Sequence, residues 1–188
     1  MMATTEALLT VDEFSRLPDL GQRAELVRGK ILMMNMPGAR HGKVCARIAF
    51  ALMSFNERQR LGHVMTNDAG VVTTREPDSV RGPDVAFYSF QRLPMGDEPS
   101  GYPALPPELV FEVLSPSDRW RELQQKAVEY LDAGVDCVCV VDPAQETVTL
   151  YYQDRPPETH AGEALFEVAD ILPGFSVPVR RFFEDTAT

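Results

Sequence analysis

Two short apolar runs lie on either side of a helix-length segment between residues 109 and 141, and this pattern constrains the fold more than any other feature of the chain. The first run, Leu109–Leu114, is apolar on both faces except at Glu112, and the second is Val135–Val141. Strands that are apolar on both faces belong to the centre of a sheet covered on two sides. Because a strand-helix-strand unit joins parallel strands by a right-handed crossover, we expect an α/β fold with a central mixed sheet flanked by helices.

The other elements are predicted from caps, turns and apolar periodicity. A capping box at Thr10–Glu13 opens a short helix that ends near Leu17, and residues 24–34 form a hairpin around Arg28-Gly29. Helices are predicted over residues 41–59 and from Ser117 or Asp118 to about Ala133, and further strands over residues 63–67, 70–74, 84–88, 147–152, 165–168 and 175–179. Residues 91–107 hold five prolines and two glycines, which predicts a long loop.

Length and composition favour one domain in a reducing compartment. The 188 residues suit a single domain, divided into an N-terminal arm (1–23), a core (24–142) and C-terminal strands (143–188). The N-terminus lacks a basic-led apolar segment, and no apolar run reaches the ~20 residues that span a bilayer. Cys45, Cys137 and Cys139 lack metal-ligand spacing, and the last two alternate along an apolar strand as core residues do. We therefore predict a cytoplasmic protein without membrane contact.

The net charge of −10 counts against sequence-independent binding to nucleic acid, which depends on neutralising phosphates. The charge is uneven, however. Five basic residues and one acid lie between Arg40 and Arg60. This basic helix is either a phosphate-facing surface or a solvated helix face.

Glu112 is the residue that most needs a chemical explanation, because an unpaired charge inside an apolar strand is very costly to bury. A divalent cation shared with a second carboxylate would stabilise it. Asp84, after Gly82-Pro83, begins another predicted strand and can supply that carboxylate. Mg²⁺ prefers oxygen ligands and can activate a water molecule for attack on a phosphodiester. We therefore predict that Asp84 and Glu112 bind a metal.

Chain geometry predicts the height of Lys126 relative to Glu112 and leaves open the face of the helix on which Lys126 lies. Glu112 lies four residues before Pro116, roughly 13 Å along a strand at ~3.3 Å per residue. Lys126 lies eight residues after Asp118, roughly 12 Å along a helix at ~1.5 Å per residue. If the helix folds back over the sheet, the two residues lie at the same height. An ammonium there could hold the attacking water or stabilise charge in the transition state.

Each candidate also has a purely structural interpretation. Asp84 can cap a turn, and Lys126 can pair with Glu122 on the helix surface. Glu25 is either a third acid near the site or an exposed strand residue. His41 opens the basic helix and either contacts phosphate or caps it.

The residues considered so far, with their neighbours, match a known pattern over residues 25–142. The matching segments are Glu25–Ile31, His41, Gly82–Val85, Glu112–Asp118, Lys126–Leu131, Gly134-Val135 and Val141–Pro143. The chain resembles the PD-(D/E)xK nuclease superfamily. Within it, the chain is most similar to a family of largely uncharacterised bacterial proteins named "putative restriction endonucleases".

The resemblance implies a restriction-endonuclease-like fold, an αβββαβ core with an N-terminal hairpin extension, and cleavage of DNA that depends on Mg²⁺ or Mn²⁺. It assigns Asp84 and Glu112 to the metal and makes Glu25 an accessory acid. The lysine expected two positions after the glutamate is replaced by Leu114, and Lys126 on the following helix takes its place. A homodimer is the assembly that the superfamily suggests.

Two other functions stay open at this point. The first is a catalytically inactive relative that serves as an interaction or nucleic-acid-binding protein, which the acidic charge favours. The second is a hydrolase of small phosphodiesters, which an acidic surface suits better than long DNA does.

Overall fold

The computed structural model describes residues 7–97, 99–116 and 119–184. The α-helices are α1 (Val11–Ser15), α2 (Ala39–Gln59) and α3 (Trp120–Asp132), and a 3₁₀ turn spans Val179–Phe182. The strands are β1 (Ala24–Val27), β2 (Lys30–Met33), β3 (Gly62–Thr66), β4 (Val71–Thr74), β5 (Ser79–Arg81), β6 (Val85–Ser89), β7 (Leu109–Val113), β8 (Cys137–Asp142), β9 (Thr147–Tyr151), β10 (Glu158–Ala161), β11 (Leu165–Glu167) and β12 (Ser176–Pro178). Across the described ranges, no helix has the length and apolar character needed to cross a membrane.

The centre of the fold is a six-stranded mixed sheet with the order β10-β9-β8-β7-β6-β3. Its strands pair antiparallel except β7 and β8, which run parallel with Glu112 opposite Val140. The parallel pair that the sequence predicts is therefore confirmed. In chain order α2, β3, β6, β7, α3 and β8 form the αβββαβ core, with β4 and β5 inserted after its first strand. The predicted fold class is confirmed.

The two faces of this sheet are buried under different helices, as strands that are apolar on both faces require. One face carries Phe87 and Phe111 and packs against α2 and the C-terminal residues after β10. The other face carries Val110 and Val138 and packs against α3. Residues therefore alternate along β7 between the α2 side and the α3 side. Cys137 and Cys139 are buried core residues, as predicted.

A second, four-stranded sheet with the order β2-β1-β5-β4 contains the predicted N-terminal hairpin. The hairpin is joined to the other two strands of this sheet through β5, where Leu26 pairs with Val80. Strands β5 and β10 were not predicted from the sequence. β5 has only three residues, and β10 is mostly exposed and lacks an apolar pattern. Neither strand gives the periodicity that a local pattern search detects.

The short helix α1 begins as predicted, because the Thr10 hydroxyl accepts a hydrogen bond from Glu13 N and the Glu13 carboxylate accepts one from Thr10 N. It ends at Ser15, before the predicted Leu17. The predicted loop at residues 91–107 contains no helix or strand among its described residues. The proposed caps of α3, Ser117 and Asp118, lie outside the described ranges.

Candidate functional site

Glu112 lies on β7 and points toward α3. Its neighbours Phe111 and Val113 pack on the α2 side of the sheet, so strand alternation turns Glu112 to the opposite side. Only 6% of its surface is exposed. Its carboxylate accepts hydrogen bonds from Lys126 Nζ at 2.9 Å and from the Tyr130 hydroxyl at 2.8 Å. The buried acid is thus satisfied by two side chains of one helix.

Lys126 lies on the buried face of α3, in one stripe with Leu123, Ala127 and Tyr130. Its Nζ atom is 2.9 Å from Glu112 Oε1 and 2.8 Å from Glu25 Oε1, and its side chain is only 13% exposed. Lys126 and Glu112 lie at the same height, as the rises per residue in strand and helix predict. The alternative of a helix-surface pair with Glu122 is wrong, since the ammonium lies inside the structure.

Glu25, on β1, is a buried acid and not an exposed strand residue. Its carboxylate accepts hydrogen bonds from Arg81 Nη1 at 2.9 Å and from Gly82 N at 3.0 Å, besides its contact with Lys126. Arg81 also reaches Glu129 Oε2 at 2.6 Å. This chain of ion pairs links the four-stranded sheet to α3 and gives Lys126 a second carboxylate partner besides Glu112.

Asp84, immediately before β6, does not cap a local turn. Its Oδ2 atom accepts a hydrogen bond of 2.7 Å from Val113 N on the neighbouring strand β7. Its Oδ1 atom lies 3.3 Å from His41 Nε2 and 3.9 Å from an Arg23 guanidinium nitrogen. The hydrogen bond to Val113 brings the Asp84 carboxylate beside the residue that follows Glu112.

These side chains line one cleft of about 260 Å³, together with residues of β2, the segment before α2, and α3. In the ion-pair network around this cleft acids outnumber bases: the carboxylates of Glu25, Asp68, Asp84, Glu112 and Glu129 contact the cations Arg23, Arg81 and Lys126. Among the described residues of this network, the formal balance is negative when His41 is neutral.

Burial and the neighbouring charges shift the pKa values of the groups in this network. Burial, with Asp84 and Glu25 nearby, raises the pKa of Glu112 to about 7, although Lys126 acts in the opposite direction. Burial also raises the pKa of Glu25, but Lys126 and Arg81 outweigh it and the net pKa is lowered. For Lys126, burial is outweighed by Glu112 and Glu25, which raise its pKa and keep it charged.

This arrangement fits a divalent cation. Asp84 and Glu112 supply the oxygen donors that Mg²⁺ and Mn²⁺ prefer. A cation would also offset the negative excess that disfavours ionised Glu112. His41, Cys45 and Asp84 additionally present donor atoms within 4.8 Å of one another.

A first prediction concerns the pH dependence of stability without metal. The pKa of Glu112 rises from 4.5 to about 7 on folding, so between these values the unfolded state has lost a proton that the folded state retains. Glu112 therefore stabilises the fold at low pH, and that contribution is lost as the pH rises through 7. The Glu112→Gln variant does not show this loss of stability, because glutamine does not ionise. Relative to wild type, its free energy of unfolding is expected to increase by on the order of 3 kcal/mol between pH 5 and pH 8.

The measurement is urea denaturation of both proteins in EDTA at several pH values. Glu167→Gln, an exposed change on β11, is the control, and its difference from wild type should not change with pH. A flat difference for Glu112→Gln would contradict the prediction.

Several residues of the site were not predicted from the sequence, among them Arg23, Tyr130 and Arg81. Tyr130 lies four residues after Lys126, and helical spacing places the two on the same face, so this signal could have found it. Arg81 lies on the unpredicted strand β5, and local sequence gives no sign of it. His63 packs edge-on against Phe90, and His160 Nδ1 lies 3.2 Å from the Leu165 carbonyl oxygen, both outside the cleft.

A second prediction tests the role of Tyr130 in holding Glu112. Tyr130→Phe removes the donor at 2.8 Å from Glu112 Oε1 and is expected to lower the free energy of unfolding by about 1–2 kcal/mol at pH 8. Chemical denaturation measures the loss. Tyr151→Phe, on a half-buried position of β9, is the matched control and should change stability by less than about 0.5 kcal/mol. Equal effects of the two variants would contradict a specific role for the Tyr130 hydroxyl.

Comparison with known proteins gives a family and a fold. A family model described as "Uma2: Putative restriction endonuclease" matches residues 11–180. Among solved structures, the crystal structure of "a putative nuclease belonging to DUF820" from Anabaena variabilis is similar, with a TM-score of 0.79 and 23% sequence identity over 93% of this chain and 97% of that chain. The search of curated proteins gave no match.

Proposed function

The chain belongs to the Uma2 family, described as "Putative restriction endonuclease", and on this premise we propose that it is a metal-dependent endonuclease that hydrolyses phosphodiester bonds of DNA. The family and the similar structure support a nuclease-like function. The metal dependence and the DNA substrate are the parts that we add, and they rest on the chemistry of the cleft.

The convergence of Asp84, Glu112 and Lys126 in one cleft carries this proposal. Asp84 accepts a hydrogen bond from Val113 N, the residue after Glu112, and Lys126 Nζ lies 2.9 Å from Glu112. Three separate elements contribute these side chains, and each side chain is mostly buried. Clustered acids whose charge is incompletely balanced are characteristic of functional sites.

Asp84 and Glu112 would hold the cation, which supplies a water of lowered pKa and positive charge for the scissile phosphate. Lys126 keeps its proton, because its pKa is raised, and therefore acts as a fixed positive charge and hydrogen-bond donor, not as a base. Glu25 and Tyr130 position Lys126 and Glu112 through direct contacts. Arg81 holds Glu25 from the side of the four-stranded sheet.

A hydrolase of small phosphodiesters is the second candidate, and the net charge of −10 favours it. A strongly acidic protein repels long polyanions, whereas a single phosphodiester carries little charge. The basic residues of α2 would have to offset this repulsion if DNA is the substrate.

The test is hydrolysis of supercoiled plasmid, linear duplex, single-stranded DNA and bis(p-nitrophenyl) phosphate by the wild-type protein with Mg²⁺, Mn²⁺ or EDTA. The expected result is metal-dependent cleavage at internal phosphodiester bonds of the DNA strands. Hydrolysis of the small ester alone would support the second candidate. If no substrate is hydrolysed with either metal, the proposal fails, and a catalytically inactive relative becomes the better description.

A further inference from the structure

His41 lies in the first turn of α2 and lines the same cleft as the carboxylates. It is 8% exposed. Its two ring nitrogens face different partners: Nε2 lies 3.3 Å from Asp84 Oδ1, and Nδ1 lies 3.4 Å from Cys45 Sγ. The ring is thus held between a carboxylate at the cleft and a cysteine one helical turn away.

The position of Cys45 indicates which ring nitrogen of His41 can bind a metal in the cleft. When Nδ1 carries the proton, it donates to the Cys45 sulfur, and Nε2 then presents its lone pair toward Asp84. Metal-bound histidines commonly use their second nitrogen in this way, with an N–H donated to a neighbouring acceptor that fixes the ring orientation. The Cys45 sulfur, 3.4 Å from Nδ1, can accept that hydrogen bond.

The spacing of His41 and Asp84 suits two ligands of one cation. Ligands at right angles around an ion with bonds of ~2.1 Å lie roughly 3.0 Å apart. The observed 3.3 Å between Nε2 and Oδ1 is close to that value. Asp84, Glu112 and His41 line one cleft, so an ion bound to Asp84 Oδ1 would lie beside His41 Nε2.

We propose that His41 Nε2 is a third protein ligand of the cation held by Asp84 and Glu112, which makes the site a mixed nitrogen and oxygen site. This inference rests on the proposed metal-dependent function. Mg²⁺ favours oxygen ligands, whereas first-row transition ions accept imidazole readily. The site should therefore bind Mn²⁺ more tightly than Mg²⁺, and His41 should account for much of that preference.

The direct test is pulsed electron paramagnetic resonance of the full chain loaded with one equivalent of Mn²⁺. Electron spin echo envelope modulation detects ¹⁴N coupling from an imidazole bound to the ion. The wild type is expected to show this coupling. It should persist in His160→Gln, which changes a histidine outside the cleft, and disappear in His41→Gln.

Calorimetry supplies a second readout on the same proteins. His41→Gln is expected to weaken Mn²⁺ binding by about tenfold or more and Mg²⁺ binding by less, so that the ratio of the two affinities falls. An unchanged ratio would overturn the assignment. If the variant does not fold, the wild-type spectrum alone still decides.

The outcomes separate this inference from the function on which it rests. Bound Mn²⁺ without nitrogen coupling in the wild type would overturn the role of His41 and leave the metal-dependent function intact. Absence of stoichiometric binding by either metal would overturn both.

Discussion

Replacing Lys126 by methionine is expected to lower the free energy of unfolding of the metal-free protein by about 3–5 kcal/mol and to abolish phosphodiester hydrolysis. Methionine has a similar length but no charge. The substitution leaves Glu112 and Glu25 buried without the ammonium that lies 2.9 and 2.8 Å from them. Removing one partner of a buried ion pair costs far more than removing a surface charge, because the remaining charge loses its compensation.

Urea denaturation in EDTA measures this loss, and Arg121→Met, at an exposed position of the same helix, is the matched control. The control should change stability by less than about 0.5 kcal/mol. Mg²⁺ or Mn²⁺ should restore part of the stability of Lys126→Met, since a cation replaces some of the lost positive charge. If the two variants are equally stable, the buried ion-pair network does not have the energetic role assigned to it.

The Asp84→Asn variant is expected to bind Mg²⁺ and Mn²⁺ about 100-fold more weakly than the wild type, a loss near 3 kcal/mol, with little change in stability. The asparagine carbonyl can still accept the hydrogen bond from Val113 N, so the local structure should persist. The variant lacks only the negative charge that faces the cation.

Titration calorimetry gives both affinities, and Asp154→Asn serves as the control because it removes an exposed acid outside the cleft. The control should bind within a few-fold of the wild type. Wild-type affinity in Asp84→Asn would remove Asp84 from the metal site. It would also weaken the case for His41, which contacts the same carboxylate.

The central part of the fold could be predicted because its signals are local. The apolar runs around Glu112 identify a central strand, and fixed rises per residue in strand and helix place Lys126 at the height of Glu112. The rotational face of α3 was left open by that argument. It is set by the apolar stripe through Leu123 and Tyr130, which packs on the sheet.

The rest of the site depends on contacts between distant segments, which a local pattern does not encode. Glu25 reaches the cleft only because β1 pairs with β5, a three-residue strand without a recognisable period. Arg81 becomes a partner of Glu25 for the same reason. His41 stands beside Asp84 because α2 packs across the sheet, and the sequence shows only that it opens a helix.

The central claim is that Asp84 and Glu112 form a metal site for phosphodiester hydrolysis, and plasmid nicking by wild type beside Glu112→Gln tests it most directly. Glutamine keeps the size of the side chain and an acceptor for Tyr130, and Lys126 still pairs with Glu25, so the variant should fold. We expect the wild type to relax supercoiled DNA with Mg²⁺ or Mn²⁺ but not with EDTA, and the variant to be about 100- to 1,000-fold slower. Equal nicking by the two proteins, or no nicking by the wild type with either metal, would contradict the claim.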